Sequence, residues 1–456
     1  MPTLPNRPSL SRPRPLAAVL LIGGALAACA ATPPQAPRVA AAAVPAATPQ
    51  PAPAPSPPPA AVSVAKADPV TPSVEPANGA RSPDQFGRWI DDFRSSARAA
   101  GIGEATLRAA LEQVRYLPRI VELDRAQPEF TRSVWQYLDS AVSAQRIAGG
   151  QDKLAQLRGG EIETIAARYR VPLEIIVAIW GIESNYGSNV GSTPVIDALA
   201  TLGFDGRREA WARGELLAAL RILQNGDIDR ARMIGSWAGA MGQTQFLPST
   251  FLNSAVDADG DGRRDLWGSI ADVVASTANH LARAGWQLGE PWGLEVQLPP
   301  GFDHARADAD LRQPSSAWAA AGVLTVDGGA LPALTDGAIL LPAGARGPAF
   351  LVGRNFRVIL RYNNSTSYAL AVGLLAQRLA GGPDVQASWP RDLQALSRSQ
   401  LLALQTALNA RGFDSGRPDG IYGPATRRGI RDFQRSVGLP ADGYPTLDLL
   451  QRLEAK

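Results

Sequence analysis

Residues 30–83 hold fifteen of the chain's 38 prolines, and before Arg81 they carry only four charged side chains, Arg38, Lys66, Asp68 and Glu75. Proline fixes φ and lacks an amide donor, so a run this dense can neither propagate a helix nor occupy the middle of a sheet. Alanine is the commonest of the other residues and offers little apolar area to set against the entropy of ordering the segment. Residues 29–83 therefore read as an extended, partly polyproline tether. Beyond it lie about 370 of the 456 residues, enough for two domains. A formal net charge of +3 on so long a chain gives no electrostatic case for nucleic-acid binding.

Ahead of the tether, Arg7, Arg12 and Arg14 precede an uncharged stretch from Leu16 to Ala28. This is the charge-then-apolar layout of a secretory signal, and it is too short to anchor across a bilayer. It ends in Leu26-Ala27-Ala28-Cys29, the only cysteine in the chain. That ending resembles the bacterial lipobox. The resemblance implies that residues 1–28 are removed, that Cys29 is lipidated, and that Cys29 is an anchor and not a nucleophile. Ala30, where inner-membrane retention is associated with Asp, favours the periplasmic face of the outer membrane by analogy. No intrachain disulfide is available.

From residue 84 the pattern turns helical. Phe86, Trp89, Ile90 and Phe93 share one face after Ser82-Pro83-Asp84, and later helices are expected between breaks at Gly101, Pro118, Gly149-Gly150 and Gly159-Gly160. Residues 292–356 are rich in Gly and Pro and contain short apolar runs at Leu294–Leu298 and Ala338–Leu341, which predict a small β insertion. Phe356–Leu360 is expected to add a strand, and Tyr368–Leu379 a helix. We delimit a domain at 84–382, a linker at 383–392 and a final unit at 393–456. In that unit Leu401, Leu404 and Leu408 share a helix face, Asp419-Gly420 and Gly423-Pro424 fix a turn with Thr426 opening the next helix, and Ile430 and Phe433-Gln434 follow.

Two stretches carry chemistry. Pro172 opens a helix through Ile175-Ile176-Val177-Ala178-Ile179-Trp180-Gly181-Ile182, apolar nearly all round and so buried, and it delivers Glu183. A carboxyl that has lost water keeps its proton at neutral pH, as a general acid on a glycosidic oxygen requires. The same residues also fit a carboxylate that caps the next turn. The second stretch runs from Asp257 to Asp265. Carboxylates at Asp257, Asp259, Asp261 and Asp265 with Gly262 between them match the start of a calcium loop, although its twelfth position is Gly268 where Glu is usual. An Asp/Gly-rich turn is the plain alternative. His280 and His304 form no ligand pattern, so zinc is disfavoured.

Three motifs, Gly181-Ile182-Glu183-Ser184-Asn185-Tyr186-Gly187, Thr193-Pro194-Val195-Ile196-Asp197-Ala198-Leu199 and Gly239-Ala240-Met241-Gly242-Gln243-Thr244-Gln245-Phe246-Leu247-Pro248-Ser249, resemble in order the lytic transglycosylase family of the membrane-bound B type. The likeness extends from about Phe86 to Leu379. Residues 401–453, with Asp-Gly-x-x-Gly-Pro-x-Thr and Phe-Gln, resemble the peptidoglycan-binding-domain family.

The resemblance implies a mainly α (α+β) fold, with a lysozyme-like helical catalytic domain, a small β insertion and a C-terminal three-helix peptidoglycan-binding domain. It makes Glu183 sole acid and base in a non-hydrolytic cleavage of peptidoglycan glycan that leaves 1,6-anhydromuramic ends. Gln245 falls on a cleft position near the scissile sugar, with Met241, Phe246 and Pro248 shaping or packing the cleft and Tyr186 among the substrate-binding residues. Tyr362, Asn363 and Tyr368 face the acid, and Arg207 and Arg208 match a basic pair that meets the peptide stems. The loop becomes a structural calcium site of Asp257, Asp259, Asp261, Arg263 and Asp272, with no cofactor needed for the chemistry. The expected partners are glycan strands and a lipid anchor, on a monomer. Hydrolysis of the same bond, or wall binding without catalysis, are the competing readings.

Overall fold

The computed structural model describes residues 82–126 and 132–455. The expected signal, Cys29 and nearly all of the tether lie outside the described residues. The architecture is built around the helix Leu173–Ser184, in which Ile176, Val177, Ala178 and Ile179 are completely buried. It packs against Ala144–Leu157, Glu161–Arg168, Ile270–Arg283 and Thr366–Leu379. Being enclosed on every side, this helix has no solvated stripe, which accounts for its continuous apolar run. Each buried Ile or Val contributes about 1.5–3 kcal/mol relative to exposure.

The first helix, Phe86–Ala99, buries the expected face of Phe86, Trp89, Ile90 and Phe93. Its Phe86 meets Phe204 edge-on beneath the paired helices Val195–Asp205 and Glu209–Asn225. Strands β1 (Thr193–Pro194) and β2 (Ile234–Gly235) form a short antiparallel ladder beside them. The insertion is a four-stranded antiparallel sheet with its own core. Strand β3 (Gly293–Gln297) lies between β4 (Leu324–Thr325) and β6 (Ala349–Val352), and β5 (Ala338–Leu340) flanks β6. Val296, Phe302, Val323, Ile339 and Leu351 surround the fully buried Trp318, whose indole N–H donates to the Gly337 carbonyl at 2.9 Å.

Three local expectations are corrected. Phe356–Leu360 is not a strand but part of the helix Arg354–Tyr362. Asn355, Phe356, Ile359 and Tyr362 form its buried face while Arg354, Arg357 and Arg361 recur on the other, so helical spacing overrides the β-branched composition. Gly149-Gly150 does not separate helices. It lies inside Ala144–Leu157, where a neighbouring ring leaves no room for side chains. Thr426 does not open its helix, which runs Pro424–Ser436 from a Gly423 cap.

The C-terminal unit packs Arg398–Ala410, Pro424–Ser436 and Leu447–Glu454 around Leu404, Leu408, Ile430 and Phe433. Gln405, buried at its centre, holds the Asp-Gly turn. Its Oε1 accepts the amides of Asp419 (3.0 Å) and Gly420 (2.8 Å), and its Nε2 donates to Asp419 Oδ1 (3.0 Å) and Thr426 Oγ1 (2.9 Å).

This unit is fastened to the insertion. The nearly buried Arg431 guanidinium donates to Asp308 Oδ2 and to the Ala307 carbonyl, both at 2.7 Å, and Asp442 accepts the Ala345 amide at 2.8 Å. The intervening segment is also pinned. Glu295 accepts the amides of Gln386 (2.7 Å) and Ala387 (2.8 Å), and Arg391 grips Asp139 with two bonds of 2.7 and 2.9 Å.

Removing the acid of a largely buried ion pair strands the cation, at about 1–3 kcal/mol. Asp308→Ala is therefore expected to lower the melting temperature by a few degrees and to speed tryptic cleavage after Arg391. Unchanged cleavage kinetics would show that this contact does not fasten the unit.

Candidate active site

Three consecutive residues with left-handed backbone end the Glu183 helix: Asn185 (φ 48°), Tyr186 (φ 60°) and Gly187 (φ 83°). Two of them carry side chains, and such conformations cost about 1–3 kcal/mol each unless the surroundings over-determine them. Here they do. The Asn185 amide donates to Gly181 O (3.0 Å) and the Tyr186 amide to Trp180 O (3.3 Å), and Ser184 Oγ accepts the Gly187 amide (3.1 Å). The Tyr186 ring folds back edge-on against Trp180, and its hydroxyl donates to the Arg146 carbonyl at 2.6 Å.

The ring can do so only because glycines lie beneath it. A Cβ at Gly181 would approach Tyr186 Cζ to 2.6 Å, and one at Gly150 would come within 2.5 Å of the hydroxyl. Tyr186, expected among the substrate-binding residues, packs its ring on Trp180, donates its hydroxyl to the Arg146 carbonyl and fixes the chain reversal.

Glu183 emerges from this reversal only 5% exposed. One carboxyl oxygen accepts the Tyr368 hydroxyl at 2.7 Å. The Tyr362 ring stacks parallel to that of Tyr368 at 6.3 Å, and its hydroxyl donates to the Thr244 carbonyl at 2.6 Å. Burial holds both phenols well above the usual tyrosine range and the charge of Glu183 adds to it, so both remain donors throughout the working pH range. The helices Arg354–Tyr362 and Thr366–Leu379 deliver these tyrosines, with Asn363 ending the first and Ser365 capping the second. Asn363 is 2% exposed, and its amide oxygen and nitrogen have no hydrogen-bond partner among the described residues. A buried amide with no partner among the described residues is a group prepared for a ligand.

Tyr137 was not found from the sequence. It lies on Val134–Ala141, its buried hydroxyl has no partner among the described residues, and burial followed by the Glu183 charge raises its pKa. Beside Trp135 in an apolar stretch it looks like any core aromatic, and only the tertiary fold brings it to Glu183. The charge of Glu183 acts on all three phenols.

Gln245 is buried with φ 49°, and its Nε2 donates to Gly242 O (2.9 Å) and Val190 O (3.1 Å). Met241 and Phe246 are fully buried and bridge each other through the Met241 amide and Phe246 carbonyl at 2.9 Å, and Phe246 backs the Tyr362 ring at 5.7 Å. They form the wall behind the tyrosines. Arg207 is committed to the buried Asp124, and the Arg208 guanidinium stacks 3.9 Å from the centroid of the Trp211 ring.

In the acidic loop, Asp257, Asp259 and Asp272 each bring one oxygen within 4.8 Å of the others. Asp261 and Arg263 are outside that group, and Asp261 accepts the Arg263 amide at 2.8 Å. Asp272 is completely buried. It accepts the amides of Ala258 and Asp265, both at 2.7 Å, and desolvation raises its carboxyl above the usual range. An all-oxygen donor set that includes a desolvated carboxylate fits a hard cation such as calcium.

A helical domain that buries one acid among tyrosines is thus followed by a three-helix unit. The transglycosylase SLT domain family matches residues 85–377, and the chain belongs to it. A peptidoglycan binding domain matches residues 397–453. The chain is 36% identical over 226 residues to membrane-bound lytic murein transglycosylase B of Escherichia coli (strain K12), a match that covers 46% of this chain and 58% of that protein. Among solved structures, SltB3 from Pseudomonas aeruginosa in complex with NAG-anhNAM-pentapeptide is 53% identical, with a TM-score of 0.79 over 81% of this chain and 99% of that one. An Escherichia coli lytic transglycosylase in complex with calcium is 30% identical, with a TM-score of 0.55 over 65% of this chain and 92% of its own.

Tyr368→Phe removes the donor to Glu183 while keeping the ring. Hydrogen bonds to charged groups contribute about 1.5–3 kcal/mol, so turnover should fall roughly 10- to 100-fold with the protein still folded. Wild-type turnover would separate Tyr368 from the chemistry.

Proposed function

We propose that this chain is a lytic transglycosylase that cleaves the β-1,4 bond between N-acetylmuramic acid and N-acetylglucosamine in peptidoglycan, with Glu183 serving first as acid and then as base. The observation that carries this reading is a carboxyl only 5% exposed, in a tyrosine-walled site, that accepts the Tyr368 hydroxyl at 2.7 Å. Glycosidases that use water as nucleophile employ two acidic groups. A muramic residue can instead stabilise its anomeric carbon with its own N-acetyl carbonyl and attack with its own 6-hydroxyl. Glu183 protonates the leaving glycosidic oxygen and then takes the hydroxyl proton as the 1,6-anhydro ring closes, so no water is consumed.

The Tyr368 bond at 2.7 Å fixes the direction of the carboxyl, and the unpartnered Asn363 amide and Tyr137 hydroxyl meet the sugar. The complex of SltB3 with NAG-anhNAM-pentapeptide supports an anhydro product. The binding domain holds the strand, Cys29 anchors the mature chain by lipid at the periplasmic face of the outer membrane, and the enzyme acts as a monomer.

Glu183→Gln should abolish clearing of peptidoglycan in a gel overlay. Mass spectrometry of wild-type digests should find 1,6-anhydromuramic ends. Free reducing ends would replace this mechanism with hydrolysis, and activity in Glu183→Gln would place the acid elsewhere.

Calcium is the cation proposed for the acidic loop, held by Asp257, Asp259 and Asp272. It would serve stability, because binding only the folded state adds about 2.7 kcal/mol at a hundredfold excess over Kd. Millimolar calcium should raise the melting temperature of the wild type and not of Asp272→Asn. An equal response in both would count against the site.

A further inference from the structure

All four polar groups of Gln243 are spent on fixing the end of the Glu183 helix to the acidic loop. Its Oε1 accepts the Trp180 indole N–H at 2.9 Å, and its carbonyl accepts the Ser184 hydroxyl at 2.7 Å. On the other side its amide donates to Leu266 O at 2.7 Å and its Nε2 to Trp267 O at 2.8 Å. Trp180 lies one turn before the acid, and Ser184 directly follows it. The side chain is 6% exposed. It also presses on the chain reversal, since a Cβ on Gly187 would come within 2.1 Å of Gln243 Oε1. A side chain with donor and acceptor both used, in opposite directions, ties two elements together more firmly than either bond alone.

We propose that Gln243 is a positioning residue for the reaction. It sets the direction of the Glu183 carboxyl through Trp180 and Ser184, and it ties that direction to the backbone at 265–267, where the acidic loop closes. The proposal rests on Glu183 being the acid. A misplacement of about 1 Å at a reacting group can cost roughly a hundredfold in rate, so a tie made through the neighbours of the acid can still govern turnover.

The test uses the full chain and a defined oligosaccharide of the wall glycan. Gln243→Met keeps the length and both backbone bonds but loses both side-chain bonds. It should lower kcat about 10- to 100-fold and leave KM within about twofold, whereas a residue that only lines the substrate groove would change KM. Gln243→Glu supplies a second readout. Its protonated carboxyl reproduces the amide's pattern, with O–H toward Trp267 O and C=O toward the Trp180 indole, but its charged form does not. Activity relative to wild type should therefore climb from neutral to mildly acidic pH for Gln243→Glu.

Wild-type kcat in a folded Gln243→Met, a loss through KM alone, or a flat Gln243→Glu ratio would overturn the assignment. If Gln243→Met does not fold, the Gln243→Glu ratio decides alone. Glu183→Gln, assayed alongside, separates the two claims, because activity in that variant sinks the assignment of the acid itself and not merely its positioning.

Discussion

Everything in the catalytic domain depends on burying one apolar helix on all sides and then turning the chain sharply at its end. Burial of Leu173–Ser184 supplies the rigidity, and the left-handed run at 185–187 places Glu183 at the boundary between core and cleft. A carboxylate one turn earlier would be lost in the core, and one turn later it would be solvated. The cost of the reversal is met locally by Tyr186, which is why three glycines, Gly149, Gly150 and Gly181, lie under a single ring.

The two tyrosines facing the acid come from far along the chain, 179 and 185 residues beyond Glu183. They are positioned by a helix–turn–helix whose first half the β-branched residues Val358 and Ile359 disguise as a strand. What separates the readings is the spacing of its arginines. Positions 354, 357 and 361 recur at helical intervals, and alternation would not place them on one face.

The apolar run before Glu183 announced the burial that the structure shows, whereas the roles of Glu183, Tyr362, Asn363 and Tyr368 came from resemblance to a family's motifs and not from the residues alone. Tyr137 and Gln243 were not legible as parts of a site, since nothing in Val134–Ala141 or in the Met241–Phe246 segment distinguishes a group near the acid from one that merely packs. The loop shows the same limit. Asp257 and Asp259 follow from the pattern, and Asp272 came from resemblance. Only the fold shows that Asp272 joins them while Asp261 turns away to cap a backbone amide.

The glycines under Tyr186 have a consequence for how this enzyme tolerates change. A survey of variants scored by wall clearing would find sensitive positions on Ala144–Leu157, a helix that contributes no side chain to the chemistry, because even a methyl group at Gly150 meets the Tyr186 hydroxyl and Leu379 at once. Such a map would mark a packing position, the buried Gly150, as essential. The positions to vary when seeking new specificity are then Tyr137 and Asn363, whose buried polar atoms have no partner among the described residues.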